Sequence, residues 1–355
     1  MPLKFSEDLD AWQKWQDSRH LGRQIKARIL KRTTAASLFV SVFGENPELL
    51  IAVDATTPTA VAAFLQPLKH IDISRVAVIA SEDISQKLSS LLPANELTHR
   101  ALCNPIVLAS SADIPKELAA IKVIFSGGHY LPAGKAAELW ARELNAKYVV
   151  AQHGLLTPFA PPLPENSHAL VFSASDGDFW ASGRSDISHE VVGSQLLWDA
   201  SQSQLQTNEK QAPIFLGQLH GAEIARTTSA STAVRFCLNN GALYRPHPAE
   251  IDRLSIAQHR IWRLRGVNFD SMMTSMGSNT RPVISIFSTG VLEAAAAGVQ
   301  SWVTCEKPVD WLFEFWNRYQ MGSWGGSPTK APIQPEIMPA FAISRTLLRL
   351  LDSTR

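Results

Sequence analysis

The chain of 355 residues reads as an α/β protein built from two doubly wound domains. Short β-branched runs alternate with helical stretches in both halves, as buried parallel strands and their crossover helices do. Several strands stop at polar turns from which a helix departs, the signature of a sheet's carboxyl edge. A Ser/Gln/Asn-rich segment, Ala200 to Ala212, interrupts the alternation and reads as a linker. The expected divisions are a basic helix over 1–35, a first domain over 36–199, a linker over 200–212, a second domain over 213–306 and a helical tail over 307–355.

In the first half, strands are expected at Ser37–Phe43, Leu49–Asp54, Arg75–Ala80, Ile121–Ser126 and Lys147–Ala151. Helices are expected at Thr59–Leu68, Ile84–Leu92 and Gly134–Asn145. Strands Ala169–Ser173 and Glu190–Gly193 follow a Pro-rich loop, with a turn over Ser175 to Asp178. In the second half the alternation runs Ile214–Leu219, helix Glu223–Asn239, Ala242–Arg245, helix Glu250–Leu264, Val267–Phe269, Val283–Phe287, helix Gly290–Ala297 and Val299–Thr304. Trp311, Leu312, Phe315, Trp316 and Tyr319 recur at helical spacing, and Glu336–Asp352 forms a last helix that can cross back to the first domain.

Composition narrows the function. Hydrophobic residues make up 45% and charged residues 18%, as in globular proteins. A formal net charge of +1 gives no general attraction to nucleic acid. Cys103, Cys237 and Cys305 lie far apart, which suggests neither a zinc site nor a disulfide framework and fits a reduced cytoplasmic compartment. No apolar run reaches the ~20 residues of a membrane span. Residues 12–32 are basic with a Leu21, Ile25, Ile29 stripe and two tryptophans, Trp12 and Trp15. That pattern suits peripheral contact with an anionic membrane face, although a helix packing its stripe on the body is the better-supported alternative. Gly128 to Lys135 fails as a P-loop, with five residues between its glycines and Ala136 where Ser or Thr is required. The fingerprints of dinucleotide enzymes, serine hydrolases and zinc peptidases are missing.

The candidate site lies between Leu243 and Gly298. Ser288, Thr289 and Gly290 open a helix whose free N–H groups and partial positive charge suit a phosphate; plain N-capping is the bland alternative. Glu293 falls one turn into that helix, within reach of a ribose diol. Arg245 and His247 flank Pro246, and Pro248 follows, so both side chains leave one face of a restrained extended segment and can offset charge on a leaving nucleotide. In the first half, His153 within Gln152-His153-Gly154 is the leading general base, with His129 its competitor. Asp176 and Asp178 read first as a turn and second as acceptor contacts.

These motifs together resemble the GT-B glycosyltransferase superfamily, with two Rossmann-like domains and a donor cleft. His247-Pro248 resembles the His-Pro motif of bacterial sialyltransferases, capsule transferases and the glycerophosphotransferases of teichoic acid synthesis. Ser288-Thr289-Gly290 with Glu293 and the Ala-rich helix resembles the donor site of the superfamily and of the related UDP-N-acetylglucosamine 2-epimerases. Gln152-His153-Gly154 is similar to a turn of capsule polysaccharide transferases. The resemblance implies an interdomain cleft, phosphate contacts at His247, Ser288 and Thr289, and a ribose contact at Glu293. It implies a metal-independent, inverting transfer from a nucleotide-activated sugar, without a resident cofactor, onto a glycan or lipid-linked acceptor for a cell-envelope polysaccharide. Gln152, Gly154, His129 and Asp176 become expected substrate contacts. No glutamate lies between Ser285 and Gly290, a departure from the common retaining hexose transferases. The competing expectations are a CDP-glycerol transferase, an epimerase, and a non-catalytic nucleotide- or glycan-binding protein.

Overall fold

The computed structural model describes residues 2–19, 37–108, 110, 113–270 and 278–353. Contacts group the chain into two compact units, Pro2–Leu196 with Pro335–Arg355, and Leu197–Gln334. Each has its own sheet. The Leu21, Ile25, Ile29 stripe lies outside the described residues. The part of the basic segment that is described is helix α1 (Leu9–Arg19). Its tryptophans face the body: Trp12 is buried and donates to the Phe159 carbonyl, and Trp15 stacks on the Phe159 ring at 4.7 Å.

The first unit carries eight strands: β1 (Leu38–Val42), β2 (Leu49–Val53), β3 (Val76–Ala80), β4 (Ile106–Leu108), β5 (Val123–Ser126), β6 (Lys147–Ala151), β7 (His168–Val171) and β8 (Ser188–Val191). They lie in the order β4-β1-β3-β2-β5-β6-β7-β8, parallel throughout except that β1 runs against both neighbours. Alternate side chains of each strand feed opposite faces. Leu49, Ile51 and Val53 join a core with Phe64, Leu88 of α2 (Ser85–Leu91) and Ala101 of α3 (Glu96–Cys103). Leu50 and Ala52 join a second core with Trp140 and its neighbours. The C-terminal helix, Pro339–Ser353, covers the first of these faces through Ile343, Leu347 and Leu351.

Helix α4 (Pro132–Leu144) shows why these sequences fold as they do. Proline at its start costs no hydrogen bond, and Asn145 ends it in the left-handed conformation. Ala133, Ala136, Ala137, Trp140 and Ala141 repeat at i, i+3, i+4, i+7 and i+8, and all are buried. The expected helix Thr59–Leu68 instead passes through a wide π-type turn, Val61–Leu65, into a 3-10 turn, Gln66–His70. Every residue of the wide turn is buried, including Phe64. The expected turn at Ser175 to Asp178 is the start of helix α5 (Ala174–Ala181), capped by Ser173. Helix α6 (Gln195–Ser201) ends this part of the chain.

The second unit holds four parallel strands, β9 (Ile214–Leu216), β10 (Leu243–Arg245), β11 (Val283–Ser285) and β12 (Ser301–Val303), in the order β10-β9-β11-β12. Helices α7 (Arg226–Asn240) and α8 (Arg253–Leu264) follow β9 and β10, while α9 (Thr289–Ala296) follows β11. Ile214, Leu216 and Val283 pack with Ala294 of α9 on one face. Phe215 and Tyr244 on the other meet Phe236 and Trp262. The expected strand Val267–Phe269 reduces to a single bridge between Phe269 and Tyr244.

Ala200–Ala212, expected as a linker, starts just past the division between the units, and its backbone is hydrogen-bonded to the second. Leu205 N–H donates to Ala297, Asn208 N–H to Thr280, and the Thr207 hydroxyl accepts from Gln300 N–H. Within 307–355, α10 (Asp310–Arg318) groups with the second unit, and the last helix, Pro339–Ser353, with the first. No described helix is long and apolar enough to cross a membrane.

Gly134 offers a test of packing against propensity. A Cβ there would lie 1.9 Å from the Gly128 carbonyl oxygen, a backbone atom. Helix propensity alone makes Gly134→Ala stabilising by about 1 kcal/mol. We expect the clash to dominate and the variant to lose about 1–3 kcal/mol in urea unfolding.

Candidate functional site

In the first unit the chain goes from β2 to its neighbour β3 and later places β5 on the other side of β2, so the topological switch lies between β2 and β5. Ligands of open α/β sheets bind outside the carboxyl ends at such a point. Asp54 follows β2 and accepts from the N–H groups of Ala133 and Gly134, at 2.7 and 2.9 Å. The terminus of α4 therefore already holds its own carboxylate. Burial raises the Asp54 pKa against the lowering effect of those two bonds.

Gly127, after β5, lets an aromatic ring approach its backbone. A Cβ there would lie 3.3 Å from His153 Cε1 and 3.0 Å from the Phe64 ring. His153 thus sits beside Gly127 at this edge, 5.4 Å from Phe64 between ring centroids. Burial lowers its pKa, opposed by a hydrogen bond with the Ala151 backbone. The imidazole is neutral at neutral pH and can accept a proton.

His129 is in a different situation. It borders a polar cleft of about 810 Å³ with Glu138, Arg142 and Arg184, and its buried Nδ1 has no hydrogen-bond partner. Burial, then the two arginines, push its pKa down to about 4.

Two expected substrate contacts are structural. Gln152 is buried, with Nε2 donating to Gly154 O and Oε1 accepting from Phe172 N–H, so it ties the ends of β6 and β7 together. Asp176 is wholly buried in the first turn of α5, where its carboxylate accepts from the Ser173 hydroxyl. The inward direction of both side chains depends on neighbouring elements, which no local signal in the sequence records. Gly154 has open space around it.

In the second unit the equivalent switch lies between β9 and β11. Gln218 locks the two strand ends together: its Oε1 accepts from Ser285 Oγ at 2.9 Å and Phe287 N–H at 3.0 Å. Glu250 is buried and accepts from Leu219 N–H and the Tyr244 hydroxyl. The stretch 217–221 is thereby set against the end of β10, where His220 stacks on His247 at 3.7 Å between ring centroids.

His247 Nδ1 accepts from Ala249 N–H at 3.1 Å, which leaves the proton on Nε2 in the neutral ring. The residue as a whole is exposed, but His220 covers one face of its ring. Burial lowers its pKa and outweighs the attraction of Glu250. A neutral Nε2–H is a donor suited to a phosphate oxygen.

Arg245 and His247, expected to act from one face, have separate partners. Arg245 donates through Nε to Asp270 at 2.6 Å and forms an ion pair with it through Nη2 at 2.5 Å. Its charge also reaches Glu293. Glu293 is half-buried, and burial raises its pKa to about 7 in spite of Arg245. Ser288 caps α9, accepting from Gly290 N–H at 3.2 Å, so the N-cap reading of this serine holds. Gly290 is needed for close packing, since a Cβ would lie 2.5 Å from Leu216 Cδ1. Thr289 is half-buried at the same helix start.

Sequence reading missed Gln218, His220, Glu250 and Asp270. Position at a strand end was a usable signal for Gln218 and His220. Asp270 has no local signal, because its partner Arg245 is 25 residues away in the chain.

No known family matches the sequence, and no curated protein matches it. A crystal structure of a glycosyltransferase from Rickettsia africae ESF-5 is similar over 87% of this chain and 89% of that chain, at 12% identity and a TM-score of 0.39. Among the described residues, no group of three or more His, Cys, Asp and Glu side chains is arranged to hold a metal.

The raised pKa of Glu293 has a defined sign. An unfolded glutamate ionises near 4.5 and the folded one near 7, so folding favours the neutral acid. Its favourable contribution is intact below pH 4.5 and is lost as pH rises through 7. Glu293→Gln should therefore gain stability relative to the parent across that window, by up to about 3 kcal/mol. Denaturant unfolding at a series of pH values checks this; a constant difference would remove Glu293 from a buried setting.

Proposed function

We propose that the protein is a metal-independent glycosyltransferase that takes a nucleotide-activated sugar as donor. The reading is supported above all by one cluster: neutral His247, the start of α9 and the Arg245–Glu293 pair at the carboxyl edge of a single parallel sheet. In it the second unit holds the donor. His247 Nε2 and the N–H groups of α9 contact phosphate oxygens, and Glu293 contacts the ribose. His153 on the first unit serves the acceptor.

Transfer then begins with removal of the acceptor hydroxyl proton by His153. The acceptor oxygen forms its bond to the anomeric carbon as the bond from that carbon to the donor phosphate oxygen breaks. The electron pair leaves with the nucleotide, whose added charge His247, Arg245 and the helix terminus offset. A single displacement inverts the anomeric centre. A cell-envelope glycan or its lipid-linked precursor is the acceptor class, and the reaction takes place on the cytoplasmic side of the membrane.

Titration with CMP, CDP, UDP and GDP should find one preferred nucleotide. His247→Ala should weaken it by about tenfold or more, and His153→Ala should abolish transfer while leaving nucleotide affinity intact. Affinity should fall as pH rises through about 7, where Glu293 gains a charge beside the phosphates, and Glu293→Gln should flatten that profile. Product from donor alone would indicate an epimerase, and binding without turnover by any acceptor would indicate a binding protein. Absence of nucleotide binding would overturn the reading.

A further inference from the structure

Helix α8 is anchored by one side only. Ser255, His259 and Trp262 are buried, and they recur at i, i+4 and i+7. At about 100° per residue the opposite side is occupied by Leu254, Ala257, Ile261 and Leu264, which together span an arc of roughly 80°. These residues are exposed, Leu254 by 60%, Ile261 by 49% and Leu264 by 89%. Ile251, just before the helix, is 79% exposed, and Leu238 of α7, 47% exposed, lies beside Gly266 at the other end. A single exposed leucine means nothing, but a continuous apolar arc running the length of a helix is unusual for a surface that meets only water.

The charges on the helix beside that arc all have one sign. Arg253 and Arg260 border it on one side and Arg265 on the other, and all three are exposed. Arg263 adds a fourth positive charge, its guanidinium lying over the Phe269 ring at 3.9 Å. No acidic residue occurs from Arg253 to Arg265; the nearest, Asp252, is turned into the helix start as its N-cap. A chain with a formal net charge of +1 thus concentrates four arginines and the most exposed of its described leucines on one helix.

We propose that α8 is a surface-docking helix for an anionic lipid bilayer. Its apolar arc enters the boundary between headgroups and acyl chains while the flanking arginines engage lipid phosphates. The charge pattern argues against a second copy as the occupant, because a self-complementary contact would bring two arginine sets together. Such docking does not depend on the proposed transfer.

The full chain should cosediment with vesicles of mixed phosphatidylcholine and phosphatidylglycerol, and far less with phosphatidylcholine alone. Added salt should weaken the binding. Leu254→Ser with Leu264→Ser should lower the partition by about tenfold or more, and Arg253→Glu with Arg260→Glu by a similar factor. Both pairs are exposed, so circular dichroism should show the fold unchanged. The basic segment 12–32 is present in every variant, so binding that it alone supports would survive all of them. An environment-sensitive label on Leu264→Cys, in a Cys103→Ser background, should shift to the blue on anionic vesicles only. Unaltered partition of both double variants, or a label that does not respond, would overturn the proposal. So would a dimer that the leucine substitutions dissociate in the absence of vesicle binding, or selective capture of an acidic peptide in place of lipid.

Discussion

The Glu250 carboxylate is the interaction on which the functional edge of the second unit depends. It has no exposed side-chain surface and accepts from three groups: Leu219 N–H, the Tyr244 hydroxyl and His259 Nε2. Burial on its own would raise its pKa, but bonds from His259, Leu219 and Tyr244 reverse the shift. A carboxylate buried in this way is tolerable only because its acceptor positions are used. The three donors come from the segment after β9, from β10 and from α8, so one anion holds three pieces of chain in register. His220 and His247 can stack because that register is set.

Asp54 plays a related part in the first unit. Its two oxygens meet the first N–H groups of α4, the place where an external anion would otherwise be expected. The two units thus treat their switch-point helices differently. In the first, an internal carboxylate occupies the terminus and the edge is left to His153 and Gly127. In the second, a neutral serine caps α9, so the partial charge of the helix is not cancelled. That difference favours the second unit in the proposal for donor phosphate.

Glu293 and Arg245 show how little separates structural from functional electrostatics. Arg245 serves Asp270 directly and Glu293 through space, so one cation faces two carboxyl groups. Burial resolves the excess by holding Glu293 close to half-protonated near neutral pH. A group poised in this way changes its charge readily when its electrostatic surroundings change, whereas a fully compensated ion pair does not.

The sequence alone was sufficient for the α/β class and the alternation of strands and helices, because short β-branched runs and helix-start residues are local signals. The places of His247, Ser288 and Glu293 in the fold were legible for the same reason: each stands at a strand end or in the first turns of a helix. The tertiary structure decided what those residues face. Gln152 and Asp176 look like surface polar groups in one dimension, yet the pairing of β6 with β7 and the capping of α5 turn them inward. The Arg245–Asp270 pair, the His220–His247 stack and the packing of Ala200–Ala212 join residues distant in the chain. Such contacts are set by which strands become neighbours, and no window of sequence contains that information.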